Sequence, residues 1–387
     1  MNIIFVLMTF EIGGVEVVSS TLANKFASEG HNVSVFAFSK GVGKTIESFD
    51  SSVKRFVGSG FRVSKDNVSK LREIIMKEKV DVIINQWGLP LVPIKVINKA
   101  RKGLFVKVIT VFHNDPLQNG RIQGVKTESE RTNNPIKRAL LRLKWIAYRC
   151  VTGYAMGYNY RHSDVFEVLS PSFVDHFKRF TKISSPNKLV VQTNPITIKK
   201  DGFIYDACKK QKEIIYVGRV DYTQKRVHRI IETWSLLENR FPDWQLTIVG
   251  DGEERVSLEQ RAQGMELNRV FFEGFQSPRK YYERASILIL TSEFEGFPLV
   301  LAECMGFGVV PVVYGSYSAV YDIIEDGKDG VILPKGDCGF SVEGMAERLA
   351  NMMDNETKRN EMAEAAINKS SQYSLDIIYK QWLKVLN

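Results

Sequence analysis

Short apolar runs alternate with segments of helical periodicity along the first half of the chain. Runs of this length are typical of strands that a parallel sheet buries on both faces. They predict strands at 2–9, 32–38, 80–85 and 106–112, and the amphipathic segments predict helices at 15–29 and 66–79. Strands that alternate with helices indicate a parallel sheet wrapped by helices.

The second half repeats this pattern. Apolar runs predict strands at 213–217, 245–249, 269–272, 287–291 and 309–313, and the chain beyond 340 reads as helical. A junction is expected at 192–196, where a proline and the residue before it disfavour regular structure. The sequence therefore predicts two doubly wound α/β domains, 1–194 and 195–370. In such sheets ligands bind at the carboxyl ends of strands, which places the site in the cleft between the two domains.

The segment 295–303 reads EGFPLVLAE and places two carboxylates eight residues apart. Pro298 fits the first position of a helix, so Glu295 is expected in the preceding loop and Glu303 on the helix. The free amides of a helix N-terminus form an anion site between the two acids. A nucleotide-sugar, with hydroxyl groups on both sides of its phosphates, matches this arrangement. The alternative is a solvent-facing helix with two unrelated glutamates.

Two cations follow the strand predicted at 213–217. Gly218-Arg219 comes directly after it, and Lys225 is expected at the start of the next helix. Arginine as a planar fork and lysine as a point charge suit a pyrophosphate. The alternative is that both are solvated surface cations.

Two further strand ends carry candidate residues. Gly13-Gly14 follows the first strand, and a backbone without side chains can approach a phosphate closely. His113 ends the strand at 106–112, where it is placed to bond a sugar hydroxyl or the reacting centre. The alternatives are an ordinary glycine turn and an ordinary core or surface histidine.

Two motifs are rejected. The segment 41–45, GVGKT, ends like a P-loop, but the first glycine of that motif would fall at Phe38, which argues against an NTPase. The segment 250–255 lacks the third glycine of GxGxxG and is acidic, which argues against a dehydrogenase. The histidines have no metal-ligand spacing and there is no DxD motif, so no metal site is expected.

The net charge of +9 is unevenly distributed. Residues 1–194 hold 29 Lys and Arg against 15 Asp and Glu, whereas residues 195–387 hold 24 against 29. The basic half lacks a nucleic-acid-binding motif, so a membrane surface or a phosphorylated acceptor is the better partner. The four cysteines are scattered, which favours a reducing compartment. The apolar N-terminus reads as a buried strand rather than a signal peptide, and no apolar run is long enough to span a membrane.

The segment 133–149 predicts a basic amphipathic helix. An asparagine pair can cap it, Pro135 can begin it, and five basic residues are interleaved with apolar ones. Such helices lie on anionic membrane surfaces. The alternative is a core-packed helix with a charged outer face.

The second half combines four motifs in order: VGR at 217–219 with QK at 224–225, VGDG at 249–252, FEGF at 272–275 and E-x7-E at 295–303. Together they resemble family 4 of the retaining glycosyltransferases, which have the GT-B fold of two facing Rossmann-like domains. In the first half the resemblance rests on Gly13-Gly14 and His113, because that domain binds the variable acceptor. The last helix of the family commonly returns to the first domain, which implies the same for 371–387.

The resemblance implies a role for each matching residue. Arg219 and Lys225 bind the donor diphosphate, Glu295 binds the donor sugar and Glu303 the ribose hydroxyls. His113 contacts the sugar near its anomeric carbon. The remaining donor contacts are implied for Gly13, Gly14, Gly218, Phe275, Gly296, Phe297, Leu299 and Val300.

The implied activity is retaining, metal-independent transfer of a hexose or N-acetylhexosamine from a nucleotide-sugar, with a UDP-sugar favoured, to a glycan hydroxyl. No cofactor is expected. The basic half favours a lipid-linked acceptor of bacterial O-antigen or capsule synthesis, and a cytoplasmic enzyme peripheral on the inner membrane. The alternatives are a GT-B nucleotide-sugar epimerase, a GDP-mannose-dependent mannosyltransferase and an inactive carbohydrate-binding protein.

Overall fold

The computed structural model describes residues 1–43 and 49–386. The chain forms two compact units: Met1–Thr197 with Tyr373–Asn387, and Ile198–Gln372. The boundary at 197 lies close to the junction expected at 192–196. Lys44 and Thr45 of the P-loop-like segment lie outside the described residues.

The first unit is a parallel sheet with helices between its strands. Its strands are β1 (Asn2–Leu7), β2 (Asn32–Ala37), β3 (Lys54–Val57), β4 (Val82–Asn85), β5 (Lys107–Phe112), β6 (Val165–Val168) and β7 (Leu189–Val191). Its helices are α1 (Gly14–Ser28), α2 (Lys65–Lys77), α3 (Leu91–Ala100), α4 (Gly120–Arg131), α5 (Pro135–Arg161) and α6 (Phe173–Thr181). The strand order is β3-β2-β1-β4-β5-β6-β7. Residues 3–7 of β1 are at most 1% exposed, because this interior strand of the sheet is covered on both faces.

The second unit has the same architecture. Its strands are β8 (Gln211–Val217), β9 (Gln245–Val249), β10 (Val270–Gly274), β11 (Ala285–Leu290), β12 (Val310–Gly315) and β13 (Val331–Pro334). Its helices are α7 (His228–Ser235), α8 (Arg255–Gly264), α9 (Arg279–Arg284), α10 (Leu299–Gly306), α11 (Ala319–Ile323), α12 (Val342–Asp354) and α13 (Glu356–Ser370). The strands are parallel in the order β10-β9-β8-β11-β12-β13. The predicted fold class of two parallel-sheet α/β domains is confirmed.

The last helix, α14 (Leu375–Leu386), belongs to the first unit. Tyr379 packs against Phe26 of α1, with ring centroids 5.3 Å apart, and its hydroxyl lies 3.1 Å from Nε2 of His31. The two points at which the chain crosses between the units are joined, because the amide of Ile196 donates to the carbonyl of Tyr373 at 2.8 Å.

Helix α5 begins where the sequence predicts it. The side chain of Asn134 caps the amides of Ile136 and Lys137, and Pro135 is in the first turn. The helix continues to Arg161, well beyond 149. None of the described helices combines the length and apolarity needed to cross a bilayer.

Four strands were missing from the predicted set: β3, β6, β7 and β13. Each has four residues or fewer. In β3, Lys54 and Arg55 are exposed on the sheet edge, whereas β6 carries an acid, Glu167, in its centre. Runs of three or four residues give a weak periodicity signal, and in β3 and β6 the charged members weaken it further.

Glu167 is a buried acid in β6. Its side chain is 0% exposed, and neither carboxylate oxygen has a hydrogen-bond partner among the described residues. Burial raises the pKa of this carboxyl well above its usual value. Between the usual pKa and the raised one, this carboxyl is therefore protonated in the folded protein and ionised in the unfolded chain.

We expect Glu167→Gln to remove a pH-dependent loss of stability. Between the usual pKa of 4.5 and the higher folded value, unfolding releases a proton. In that interval the free energy of unfolding falls by about 1.4 kcal/mol for each unit that the pH rises. Below pH 4.5 this contribution is fully present. Urea unfolding at pH 4, 6 and 8 measures it, with the exposed Glu347→Gln as control; parallel curves for wild type and Glu167→Gln would contradict it.

Candidate active site

Asp221 organises the loop that follows β8. Its Oδ1 accepts from the amides of Gln224 (2.6 Å) and Lys225 (3.3 Å), and its Oδ2 accepts from Nε of Arg219 at 2.9 Å. The side chain of Arg219 remains 64% exposed, so its guanidinium reaches solvent. One carboxylate thus fixes the positions of both predicted cations.

The predicted start of the following helix was wrong. Lys225 lies in the loop, and α7 begins only at His228. The amide of Lys225 is bound by Asp221, and Arg226 has a left-handed backbone with φ of 54°. A left-handed residue cannot continue a right-handed helix, so the helix starts after it.

Lys225 and Glu295 form a buried ion pair. Nζ lies 2.6 Å from Oε1, and the two side chains are 15% and 6% exposed. Gln224 connects this pair to Arg219: its Nε2 donates to Oε2 of Glu295 at 3.1 Å, and its Oε1 accepts from Nη2 of Arg219 at 3.2 Å. The structure therefore brings Arg219, Lys225 and Glu295 into one network.

Sequence reasoning gave no role to the two residues that connect this network, Asp221 and Gln224, although Gln224 belongs to the QK motif at 224–225. An aspartate whose side chain binds amides further along the loop is a known turn signal, so Asp221 was detectable in principle. The contact of Gln224 with a residue 71 positions away was not.

Helix α10 begins at Leu299, one residue after the position predicted from Pro298. Pro298 is its N-cap residue and makes no side-chain cap bond. Gly296 and Phe297 are buried in the preceding turn, and Leu299 and Val300 are half-buried in the first turn. The amides at this end and the helix dipole suit an anion.

Glu303 lies on α10, as predicted, and is 4% exposed. The hydroxyl of Tyr282 donates to its Oε2 at 3.4 Å. Burial, and then the charge of Glu303, raises the pKa of Tyr282 well above its usual value, so the phenol stays protonated. Glu303 thus bonds to Tyr282, whereas Glu295 bonds to Lys225 and Gln224.

Gly250 holds the loop after β9 against the loop after β8. A Cβ at Gly250 would lie 1.8 Å from the carbonyl oxygen of Gly218, and its φ is +155°. The amide of Gly218 donates to Val249 at 3.0 Å, and that of Val220 to Asp251 at 2.9 Å. The VGDG motif at 249–252 thus supports the loop that carries Arg219.

Phe275, predicted to border the base, follows the edge strand β10 and is 58% exposed. In the sheet order, β9 separates β10 from β8.

In the first unit, Gly13 precedes α1 and Gly14 begins it. A Cβ on Gly13 would lie 2.6 Å from Oε2 of Glu16, so this carboxylate occupies the space beside the glycine. Glu16 is 6% exposed, and burial raises its pKa to about 7. Glu16 was not predicted to lie at this proposed phosphate contact.

His113 follows β5, as predicted, and its Nε2 donates to Oε1 of Gln86 at 2.6 Å. Burial lowers its pKa to about 4, so the imidazole is neutral at pH 7. Gln86 follows the neighbouring strand β4 and was not predicted as a site residue. Among the described residues, no group of three or more His, Cys, Asp or Glu side chains has an arrangement that could hold a metal ion.

Comparison with known families covers nearly the whole chain. The family model for Glycosyltransferase Family 4 matches residues 12–200, and that for Glycosyl transferases group 1 matches residues 198–369. The two matches meet near the boundary between the units.

Individual proteins are similar over the full length. The GalNAc-alpha-(1->4)-GalNAc-alpha-(1->3)-diNAcBac-PP-undecaprenol alpha-1,4-N-acetyl-D-galactosaminyltransferase of Campylobacter jejuni is 24% identical over 100% of this chain and 98% of its own. HepE of Anabaena, solved in complex with UDP-glucose, has a TM-score of 0.74 at 16% identity over 100% and 99% of the two chains. The lipopolysaccharide outer core galactosyltransferase WaaB, in its apo form, has a TM-score of 0.68 at 19% identity over 100% and 99%. The chain belongs to the family 4 glycosyltransferases of GT-B fold.

Proposed function

We propose that the protein transfers a hexose or N-acetylhexosamine from a UDP-sugar to a glycan hydroxyl, with retention of configuration. The observation that carries this proposal is the network of Arg219, Lys225 and Glu295 at the carboxyl end of β8, together with the start of α10. These groups supply cations and helix amides in fixed positions.

Such groups act on the leaving group. As the bond from sugar to phosphate breaks, negative charge grows on the departing diphosphate, and preorganised positive groups lower the barrier. Lys225 is held in place by Glu295, and Arg219 by Asp221, so little reorganisation is needed when the donor binds. Two protein cations also serve the diphosphate without a metal ion.

Glu295 is a poor candidate for a nucleophile. Lys225 binds one of its oxygens at 2.6 Å and Gln224 the other at 3.1 Å. Retention is then best explained by attack on the same face from which the diphosphate leaves, with a phosphate oxygen taking the proton of the acceptor hydroxyl. In this step the bond from sugar to phosphate breaks, the glycosidic bond to the acceptor oxygen forms, and the proton of the acceptor hydroxyl ends on the departing diphosphate.

UDP is the favoured nucleotide because HepE was solved with UDP-glucose. Thermal-shift screening against UDP, GDP and their sugars tests this, since a ligand at 100 times its Kd stabilises the folded state by about 2.7 kcal/mol. We expect UDP compounds to raise the Tm and Lys225→Ala to lose the shift. A shift with GDP-mannose alone would favour the mannosyltransferase, and no shift with any nucleotide would favour an inactive binding protein. Isomerisation of a UDP-sugar without acceptor would identify an epimerase.

The acceptor is proposed to be a lipid-linked glycan of a bacterial surface polysaccharide. By its name, the Campylobacter relative acts on a glycan joined to PP-undecaprenol. Such an acceptor is confined to the membrane, so an enzyme that extends it gains by binding the same surface.

Helix α5 provides a surface suited to that role. Its exposed apolar side chains, which we call the apolar stripe, are 51–74% exposed and comprise Ile136, Leu140, Leu143, Ile146, Val151 and Tyr154. At about 100° per residue they fall within an arc of roughly 140°, on the side opposite the buried Leu141, Thr152 and Met156.

Basic side chains border the apolar stripe. The helix carries six Lys and Arg and no Asp or Glu, and at about 100° per residue Lys137 and Lys144 lie on one border and Arg142 on the other. The alternative of a core-packed helix with a charged outer face does not fit these exposures. We propose that the apolar stripe enters the headgroup region of an anionic bilayer, with the cations at the phosphates.

We expect the double variant Leu140→Asp/Leu143→Asp to lower vesicle binding by more than about 10-fold, because it removes two apolar side chains from the bilayer and adds repulsive charge. Flotation with phosphatidylglycerol vesicles measures it, and phosphatidylcholine vesicles test the electrostatic part. Phe105→Asp is the matched control, since Phe105 is fully exposed and lies outside the helix. Equal flotation of all three proteins would overturn the membrane proposal.

A further inference from the structure

Polar residues follow two neighbouring strands of the first unit, at the same edge of the sheet. Gln86 and Trp87 follow β4, and His113 and Asp115 follow β5. The strands are adjacent and parallel, so their carboxyl ends meet at one edge. The hydrogen bond between Gln86 and His113 joins the two segments directly.

The backbone also holds the two segments together. The amide of Gly88 donates to the carbonyl of Val111 at 2.9 Å, and a Cβ on Gly88 would lie 2.7 Å from that oxygen. Asn85, which is fully buried, accepts from the amide of Trp87 at 3.2 Å and donates to Thr110 at 3.3 Å. Trp87 is therefore fixed against the end of β5.

Three polar atoms in this cluster are buried and lack a hydrogen-bond partner among the described residues. They are Nε2 of Gln86, Nε1 of Trp87 and Oδ2 of Asp115. Gln86 and Asp115 are each 1% exposed. Their other polar atoms are bound: Oδ1 of Asp115 contacts Nδ1 of His176 at 2.8 Å and accepts from the amide of Leu117 at 2.8 Å. Buried groups of this kind are rare unless a ligand or ordered water completes them.

The chemistry of these atoms selects a ligand class. Gln86 and Trp87 offer N–H donors, and Asp115 offers an acceptor. His113 adds a second acceptor: its Nε2 carries the proton that Gln86 accepts, so Nδ1 of the neutral ring is unprotonated. A hydroxyl group both donates and accepts, so it matches such a mixed set. A phosphate or carboxylate would accept only and would be repelled by Asp115.

We propose that Gln86, Trp87 and Asp115 form a binding subsite for an uncharged sugar ring of the acceptor. This inference rests on the proposed function, since it assigns the glycan that receives the transferred sugar. It extends the site from His113 to three residues for which the family motifs give no role.

The five tryptophans permit a direct test. In protein labelled with [15N]tryptophan, the indole signal missing from Trp87→Phe identifies Trp87. We expect titration with methyl N-acetyl-α-D-galactosaminide or methyl α-D-galactopyranoside to shift that signal and leave the signal of Trp244, assigned with Trp244→Phe, unchanged. No shift up to millimolar glycoside, or a shift with inorganic phosphate alone, would overturn the proposal.

Kinetics separate this inference from the proposed function. With N-acetylgalactosamine on a short polyprenyl diphosphate as acceptor, we expect Trp87→Phe and Asp115→Asn to raise the acceptor KM, by about 10-fold for Asp115→Asn, which loses a charged acceptor. The Tm shift caused by UDP should persist in both variants. Trp244→Phe, in the core of the second unit, is the matched control. An unchanged acceptor KM in both variants overturns the subsite. A wild-type protein that binds no nucleotide overturns the proposed function instead. In that case the glycoside titration decides the subsite.

Discussion

Replacing Lys225 with alanine is expected to lower kcat/KM for sugar transfer by roughly 10²- to 10³-fold, the usual effect of removing one preorganised group that stabilises developing charge. The ammonium is 2.6 Å from Glu295 and 15% exposed, so it is fixed before the donor arrives. Arg219→Ala is expected to act in the same direction. Release of UDP from a UDP-sugar in the presence of acceptor measures both.

A double variant separates chemistry from stability in this experiment. Lys225→Ala leaves a buried carboxylate without its cation, which destabilises a protein by about 3–5 kcal/mol. Adding Glu295→Gln removes that charge, so we expect stability to recover and activity to stay low. Lys212→Ala is the matched control, because that exposed lysine pairs with Asp243 on the surface. Wild-type transfer by the double variant would exclude Lys225 from the reaction.

Gly250→Ala is expected to cause a large loss of stability, at least about 3 kcal/mol. The new Cβ would lie 1.8 Å from the carbonyl of Gly218, and neither backbone can yield without breaking the bonds between the two loops. Because Gly218 precedes Arg219, transfer should fall as well. Thermal unfolding and the transfer assay measure the two effects.

Gly264→Ala is the control for this substitution. Gly264 ends α8 and is exposed, and among the described residues no atom outside its own helix backbone and chain neighbours lies within 4 Å of an added Cβ. Alanine in a helix is favoured over glycine by about 0.8–1.0 kcal/mol, so a small gain in stability is expected. If Gly250→Ala unfolded at the wild-type temperature, the close approach of the two loops would not contribute to the fold.

The fold could be predicted where one residue type decides the local structure. The apolar run of β1 predicts a buried strand, and Pro135 and Pro298 predict helix starts to within a residue. Strand β6 was missed because Glu167 interrupts its apolar run, and the burial that sets the behaviour of this acid is a property of the folded unit.

The candidate site was predictable as a set of residues but not as a network. The order of motifs brought Arg219, Lys225 and Glu295 to attention. Lys225 pairs with Glu295 because the loop after β8 meets the loop after β11. No local sequence pattern predicts that these two loops meet. The same holds for Gln86 and Trp87: their unpartnered atoms are recognisable only when burial and every neighbour are known.

The second unit is an insertion in the first, and the bond between Ile196 and Tyr373 joins the two segments of the first unit where the insertion begins and ends. Residues 198–372 form one continuous segment whose two ends attach at neighbouring points, while the first unit keeps its own terminal helix. Exchanging this segment between related genes needs only two junctions, which are neighbours in space. The core of the first unit keeps all its own residues. The topology therefore allows the second unit to be exchanged as one module without rebuilding the first.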